Sequence, residues 1–281
     1  MALIEIKNLT YTYPGGSKPS IDDVSFKIEK GEFVLITGPS GCGKTTLCRC
    51  FNGLVPHFYQ GEIKGEIEVA GINTLEHRTC ELAKHVGLVF QNPENQLFAL
   101  SIEKDVAFGL ENVGLSREEM RKKVDWALHQ TGIYDIRERS PHEISGGQQQ
   151  RVAIASVLAM EPDIIVLDEP TSFLDSLSAE KIFEVIYRLN REQGITVVLV
   201  EHRLDLTAKY ANHLIVMEQG TIRLEGEPRD VLCNQETRLI GVGIPKATLL
   251  YEMLKKEDFS LGNKPPLDSE ELADQILEAL K

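Results

Sequence analysis

The 281-residue chain reads as an α/β protein with a parallel sheet at its centre, and three observations lead there. Phe33-Val34-Leu35-Ile36-Thr37 is a β-rich run, apolar on both faces and ending at a glycine, the pattern of a strand buried on both sides. Ile164-Ile165-Val166-Leu167 and Ile195-Thr196-Val197-Val198-Leu199-Val200 repeat that pattern, each after a helix-like stretch. Strands alternating with helices at this spacing imply parallel pairing, because a parallel neighbour is reached only through a crossover.

Taken in order, LIEIKNLTYTY, SIDDVSFKIEKGEFVLITG and GEIKGEIEVAG alternate apolar and polar residues, with Gly31, Gly61 and Gly65 as turns, so they read as strands. From about residue 101 to 160 the texture turns helical. In SREEMRKKVDWALHQTG, Ser116 stands as a helix N-cap, Glu119 as the third residue of a capping box and Gly132 as the stop. That insert separates two sheet regions. After Pro245, KATLLYEMLKK and SEELADQILEALK flank the loop LGNKPP, and Leu272, Ile276 and Leu280 recur every four residues, as in a small helical appendage. No internal repeat or low-complexity segment interrupts this pattern.

Hydrophobic residues at 42% and charged residues at 26% are ordinary for a globular chain and exclude disordered, collagen-like and disulfide-scaffold classes. The net charge of −13 repels a phosphate backbone, so nucleic acid is not expected as a partner. No apolar run is long enough to span a bilayer, and MALIEIKNLTYTYPGG lacks a signal-peptide core, so neither a membrane span nor export is expected. Cys42, Cys48, Cys50, Cys80 and Cys233 are odd in number without paired metal-ligand spacing, and reduced cytosolic thiols are the expectation.

The chemistry begins at Gly38-Pro39-Ser40-Gly41-Cys42-Gly43-Lys44-Thr45, which fits G-x-x-x-x-G-K-[ST] after the first buried strand and before the helix-like TTLCRCFNGL. Glycines let successive backbone N–H groups curl around phosphates while the helix beginning near Thr46 presents its positive end. Lys44 bridges the terminal phosphates and Thr45 offers a hydroxyl to Mg²⁺. The strand IIVLDEP then supplies Asp168 to hold Mg²⁺ through water and Glu169 to polarise an attacking water.

About a hundred residues beyond the first loop, Ser145-Gly146-Gly147-Gln148 opens the apparent helix QQQRVAIASVLAM. With this ISGGQ stretch the sequence resembles the ATP-binding-cassette (ABC) ATPases, a P-loop NTPase fold with a mixed β-sheet core and an inserted helical subdomain. The resemblance covers about residues 3–230. It implies an ATPase domain over residues 1–230 with its helical subdomain at about 92–160, and a C-terminal helical extension over 231–281. It also implies ATP and Mg²⁺ as cofactors, with Ser145, Gly146, Gly147 and Gln148 capping the γ-phosphate held by a second ATPase subunit. Backbone donors exposed by glycines, a serine hydroxyl and a helix end all favour an anion there.

By the same resemblance Tyr13 stacks on adenine, with Tyr11 as the alternative, and Gln91 reaches Mg²⁺ and the water. Asp175 closes Ser172-Phe173-Leu174-Asp175, a loop packed across the dimer interface, and His202 contacts the γ-phosphate. Departures are few. Ile144 replaces the usual Leu before the signature, Phe173 is bulkier than the common residue, and Cys42 fills a variable loop position, where an exposed and acidic thiol would make the loop redox-sensitive.

Asn92-Pro93-Glu94-Asn95-Gln96-Leu97-Phe98, the EHRLD stretch, the single cassette and the C-terminal extension resemble the energy-coupling-factor branch, whose ATPases power vitamin and cobalt or nickel uptake. That implies a peripheral protein at the cytoplasmic face of the membrane, working with integral coupling and substrate-binding subunits. Leu97 and Phe98 are expected to line a groove for a coupling helix. The alternatives are a conventional ABC importer or exporter subunit and, from another class, a nucleic-acid maintenance ATPase. The acidic balance and the lack of long heptad arms speak against the latter.

Overall fold

The computed structural model describes residues 2–280. Its strands, in chain order, are β1 (Ala2–Thr12), β2 (Ile21–Glu29), β3 (Phe33–Thr37), β4 (Glu62–Val69), β5 (Ile72–Asn73), β6 (Val86–Val89), β7 (Ile164–Asp168), β8 (Thr196–Val200), β9 (His213–Glu218) and β10 (Thr221–Gly226). The alternating strands near the start form an antiparallel sheet in the order β2-β1-β4-β5. The fully apolar runs lie within a second sheet, β10-β9-β3-β8-β7-β6, whose edge strand β10 is half exposed. In that second sheet β9, β3, β8, β7 and β6 are parallel and only β10 runs against its neighbour, so the sheet is mixed. Sequence reading missed β9 and β10, although HLIVME carries the same buried-strand texture as β3.

Because side chains alternate along a strand, β3 divides its residues between two cores. Val34 and Ile36 meet β1, β2 and the helix Lys44–Phe51 on one side, with Val166, Val198 and Ile215 beside them. Phe33 and Leu35 meet Leu167, Leu199 and Leu214 and a layer of helices on the other. Each fully buried side chain of this size contributes about 1.5–3 kcal/mol, so a one-residue slip of β3 would turn both cores inside out at once.

Between β6 and β7 lie the helices Ile102–Val113, Arg117–Gln130 and Gly146–Leu158. Ser116 and Glu119 make the expected capping box. Beyond β10, helices Lys246–Lys256 and Ser269–Ala279 form a small core of Ala247, Tyr251, Leu261 and Leu272. Arg229 holds this appendage to the body through a paired contact of 2.8 Å from each terminal nitrogen to Glu271. Leu272 is buried as its periodicity predicts, but Leu280 is 68% exposed, because a four-residue repeat drifts off one helix face within two turns.

At the start of β9, His213 lies 3.0 Å from Glu225 on β10 and 3.5 Å from Glu32 beside β3. The hydrogen bond to Glu225 raises the imidazole pKa above its ordinary value against the opposing effect of burial. A raised folded value makes this contact stabilising below about pH 6.5, the unfolded value, and the stabilisation is lost as pH rises through the folded one. His213→Gln should therefore melt about 2–4 °C below wild type at pH 5.5, the shift of about 1 kcal/mol in such a domain, and match it by pH 8.5. A deficit independent of pH would contradict this assignment.

Candidate functional site

Strand β3 ends at Thr37 and the chain turns through Gly38 at φ 145°, where a Cβ would sit 2.0 Å from the Met217 carbonyl oxygen. Gly43, at φ 110°, would place a Cβ 2.4 Å from the Ser20 carbonyl oxygen. Only glycine fits either place. Lys44 is buried at the start of the helix that follows, and its ammonium donates to the carbonyls of Gly38 at 2.8 Å and Pro39 at 3.0 Å, closing the loop over itself. Cys42 is buried beneath it, and desolvation pushes its thiol pKa up. It is not the exposed, acidic thiol that redox sensitivity would require.

Three adjacent strands deliver the next group. β6, β7 and β8 lie side by side in the sheet, and Gln91, Glu169 and His202 emerge just beyond their carboxyl ends. Glu169 adopts φ 48°, a left-handed conformation costing about 1–2 kcal/mol for a residue with a Cβ, which swings its carboxylate into the cleft. His202 Nε2 lies 3.1 Å from Glu169 Oε1, while Gln91 Nε2 donates to Oε2 at 2.9 Å. Ser172 Oγ donates to that same oxygen at 3.0 Å. Both carboxylate oxygens are thus held, and the imidazole and amide that hold them face the solvent. The positioning of Ser172 was not legible in sequence, because it depends on the turn after β7 folding back over three residues.

Asp168, directly before Glu169, is 6% exposed, and its Oδ1 has no hydrogen-bond partner. Burial raises its pKa, a hydrogen bond from Thr45 opposes the shift, and the charge of Glu169 reinforces it. The open cleft beside it, about 330 Å³, is lined by Ser20, Ser40, Lys44, Thr45, Gln91 and Glu169 among others. Among the described residues no group of three or more His, Cys, Asp and Glu side chains could cage a cation. Thr45, Gln91 and Asp168 offer hydroxyl, amide and carboxylate oxygens instead. Few protein oxygens beside a phosphate cradle suit Mg²⁺, and the orphaned Oδ1 of Asp168 is a buried acceptor awaiting a donor or a hydrated ion.

The remaining predicted residues stand elsewhere. Tyr13 is half-buried at the rim, its hydroxyl 3.2 Å from Thr46 Oγ1 and accepting from Arg49 at 3.1 Å. Tyr11, the alternative for a base-stacking ring, is fully buried with its hydroxyl donating to the carbonyls of Tyr59 and Gln60, so it belongs to the core. Ser145 caps the helix Gly146–Leu158 in a capping box with Gln148. None of residues 145–148 lines the phosphate cleft. Gly146 instead borders a neighbouring pocket of about 280 Å³ with Pro170, Phe173 and Leu174, which meets that cleft at Gln91. Asp175 caps the helix Ser176–Gln193, and its bonds from Ser178 hold its carboxyl below the usual range. Phe173 and Leu177, on either side of Asp175, are 72% and 63% exposed, an apolar surface facing away from the chain.

Comparison with known proteins gives one family for the chain. Residues 21–172 match the family profile described as ABC transporter. The chain is 43% identical to a Pyrococcus abyssi protein named provisionally as an ABC transporter ATP-binding protein, covering 100% of both chains. It is 42% identical to the energy-coupling factor transporter ATP-binding protein EcfA of Methanococcus maripaludis, over 100% of this chain and 99% of that one. Among solved structures, cbiO1 of Clostridium perfringens, described as part of the ABC transporter complex cbiONQ, matches with a TM-score of 0.76 and 35% identity. That match covers 89% of this chain and 99% of the other. An ATP-binding cassette solved as a dimer in a post-hydrolysis state with ADP and phosphate matches with a TM-score of 0.70 and 34% identity, over 80% and 99% of the two chains.

Burying the Asp168 carboxyl, which raises its pKa, costs the fold stability. Relative to the unfolded chain its ionised form is disfavoured, and the penalty grows as pH rises from the unfolded value through the folded one. Asp168→Asn should therefore raise the melting temperature of the nucleotide-free chain at pH 7.5 by roughly 2–4 °C while lowering ATP hydrolysis at least about 100-fold. A variant that melts lower than wild type and still turns over would show that Asp168 serves packing alone.

Proposed function

The chain belongs to the ABC transporter family and is an ATPase of that family, and on this premise we propose that it powers an importer of the energy-coupling-factor type. The observation that carries the reading is a division within one chain. Lys44, Thr45, Gln91 and Glu169 line one cleft, with His202 bonded to Glu169, whereas none of Ser145, Gly146 and Gly147 at the start of the helix Gly146–Leu158 lines it. A second ATPase subunit closing head to tail would bring the second set onto the triphosphate held by the first. Bound ATP is then part of the interface, and hydrolysis reopens it.

In that closed site the loop N–H groups and the Lys44 ammonium bind the phosphates, and Tyr13 stacks on the base. Thr45, Gln91 and Asp168 are the residues to hold Mg²⁺, directly or through water, and the ion would neutralise charge on the phosphate oxygens. Glu169 accepts the proton of the attacking water as the new P–O bond to the γ-phosphorus forms and the bond to the ADP oxygen breaks. His202 steadies the γ-phosphate and the carboxylate together. Products are ADP, phosphate and a proton.

The partner side rests on a groove of about 360 Å³ lined by Leu54, Phe90, Phe98, Phe108, Val157 and Met160 among others. Phe98 and Phe108 meet edge to face at 4.6 Å and are 62% and 44% exposed, so the groove offers aromatic anchors to an amphipathic helix of an integral subunit. Leu97 does not share that role, since alternation along the chain turns it into the main core. No helix among the described residues is long and apolar enough to cross a membrane, and attachment to the cytoplasmic face would go through such subunits.

Glu169→Gln keeps the shape of the side chain and removes the proton acceptor. Turnover should fall at least about 100-fold, with ATP affinity within about threefold of wild type and an ATP-dependent dimer in size-exclusion chromatography. Near-normal turnover would remove Glu169 from this role. Phe98→Glu should reduce co-purification with integral membrane subunits at least about tenfold while ATP affinity stays unchanged, as expected when a charge replaces an aromatic anchor at an interface. Undiminished co-purification would place the membrane contact elsewhere.

A further inference from the structure

Three consecutive residues after β8 reach three successive points of the segment after β7. His202 meets Glu169 at 3.1 Å, and the guanidinium of Arg203 donates to the Leu174 carbonyl at 2.9 Å, next to Asp175. Glu201, the first of the three, is 2% exposed, although a glutamate at that depth is costly unless every oxygen is satisfied. Here every oxygen is. Oε1 accepts the backbone N–H groups of His202 at 2.8 Å and Arg203 at 3.1 Å, and Oε2 accepts the hydroxyl of fully buried Thr171 at 2.6 Å. The backbone of Glu201 is pinned in turn, its N–H donating to the Ile36 carbonyl of β3 at 3.2 Å.

This wiring bears on His202. Its side chain has no hydrogen bond to its own loop, so where the imidazole lies relative to Glu169 is set by the path of the main chain from 201 to 203. That path is shaped by the Glu201 carboxylate, and the carboxylate is anchored to Thr171, two residues beyond Glu169. We propose that Glu201 is a positioning residue for ATP hydrolysis, its buried carboxylate fixing the His202 main chain to Thr171 so that imidazole and general base keep one spacing. Arg203 extends the same tie to the loop ending at Asp175, joining the hydrolysis site to the surface that faces the second subunit.

The assignment rests on the reading of Glu169 and His202 given above, and steady-state ATP hydrolysis by the purified chain tests the two separately. Thr171→Val replaces the hydroxyl with a methyl of similar size, and Glu201→Asp keeps the charge but loses one methylene of reach. Each should lower kcat about tenfold with KM for ATP within about twofold, as expected when a reacting group is misplaced and substrate binding is intact. Thr171→Ser, which restores the donor, should stay within about twofold of wild type. Wild-type kcat in Thr171→Val or in Glu201→Asp overturns the proposal. So does a Thr171→Ser variant as slow as the valine one, or a rise in KM that matches the fall in kcat, since packing alone would then explain the losses. If His202→Ala keeps wild-type kcat, the underlying reading fails. If His202→Ala is slow while Thr171→Val is not, only the role of Glu201 fails.

Discussion

Burial of both faces of the β3-β8-β7-β6 block fixes where each strand stops, and almost every feature of the site follows from where they stop. Register on one face cannot slip without exposing the other, so the four carboxyl ends are held side by side. The glycine-rich loop grows from the first end, His202 from just beyond the second, Asp168 and Glu169 from the third and Gln91 from the fourth. Crevices outside the carboxyl ends of such strands are where α/β folds bind ligands, because loops there can vary while the sheet does not.

Several local preferences are overridden on that edge. Glu169 takes a left-handed backbone, Asp168 carries an unpaired buried oxygen, and Lys44 turns its ammonium onto the carbonyls of its own loop. Each would be a defect in a packing element. Together they leave polar groups held still around a cleft, with Asp168 Oδ1 alone of these unpaired, and fixed groups of this kind act on developing charge without reorganisation. The flanking cores, apolar and complete, hold these groups in place.

The outward surfaces follow a different logic. Gly146, Phe173 and Leu174 border one pocket near Asp175 and the exposed Leu177, and the aromatic groove around Phe98 and Phe108 lies between the helical insert and the Leu54 and β6 side of the body. Ser145 and Asp175 each cap a helix within the chain, which satisfies one backbone donor at each helix start before any partner arrives. The free donors at the signature helix start and the apolar rims remain as the features available to another subunit.

Motifs that depend on consecutive residues were legible in the linear chain: the glycine loop at 38–45, the apolar strand ending in Asp168 and Glu169, the Ser116 capping box and the signature turn. Their physics is local, since a backbone turn, a strand's burial or a cap is decided within a few residues. The burial of Tyr11 beside the half-buried Tyr13, the inward turn of Leu97 against the outward turn of Phe98, the Ser172 contact and the Glu201 to Thr171 tie were decided only by the tertiary structure. Each of these depends on which face of one element meets another far away in sequence. Side-chain direction over such distances is set by the register of a packed sheet, which is a property of the assembled cores and not of any one segment.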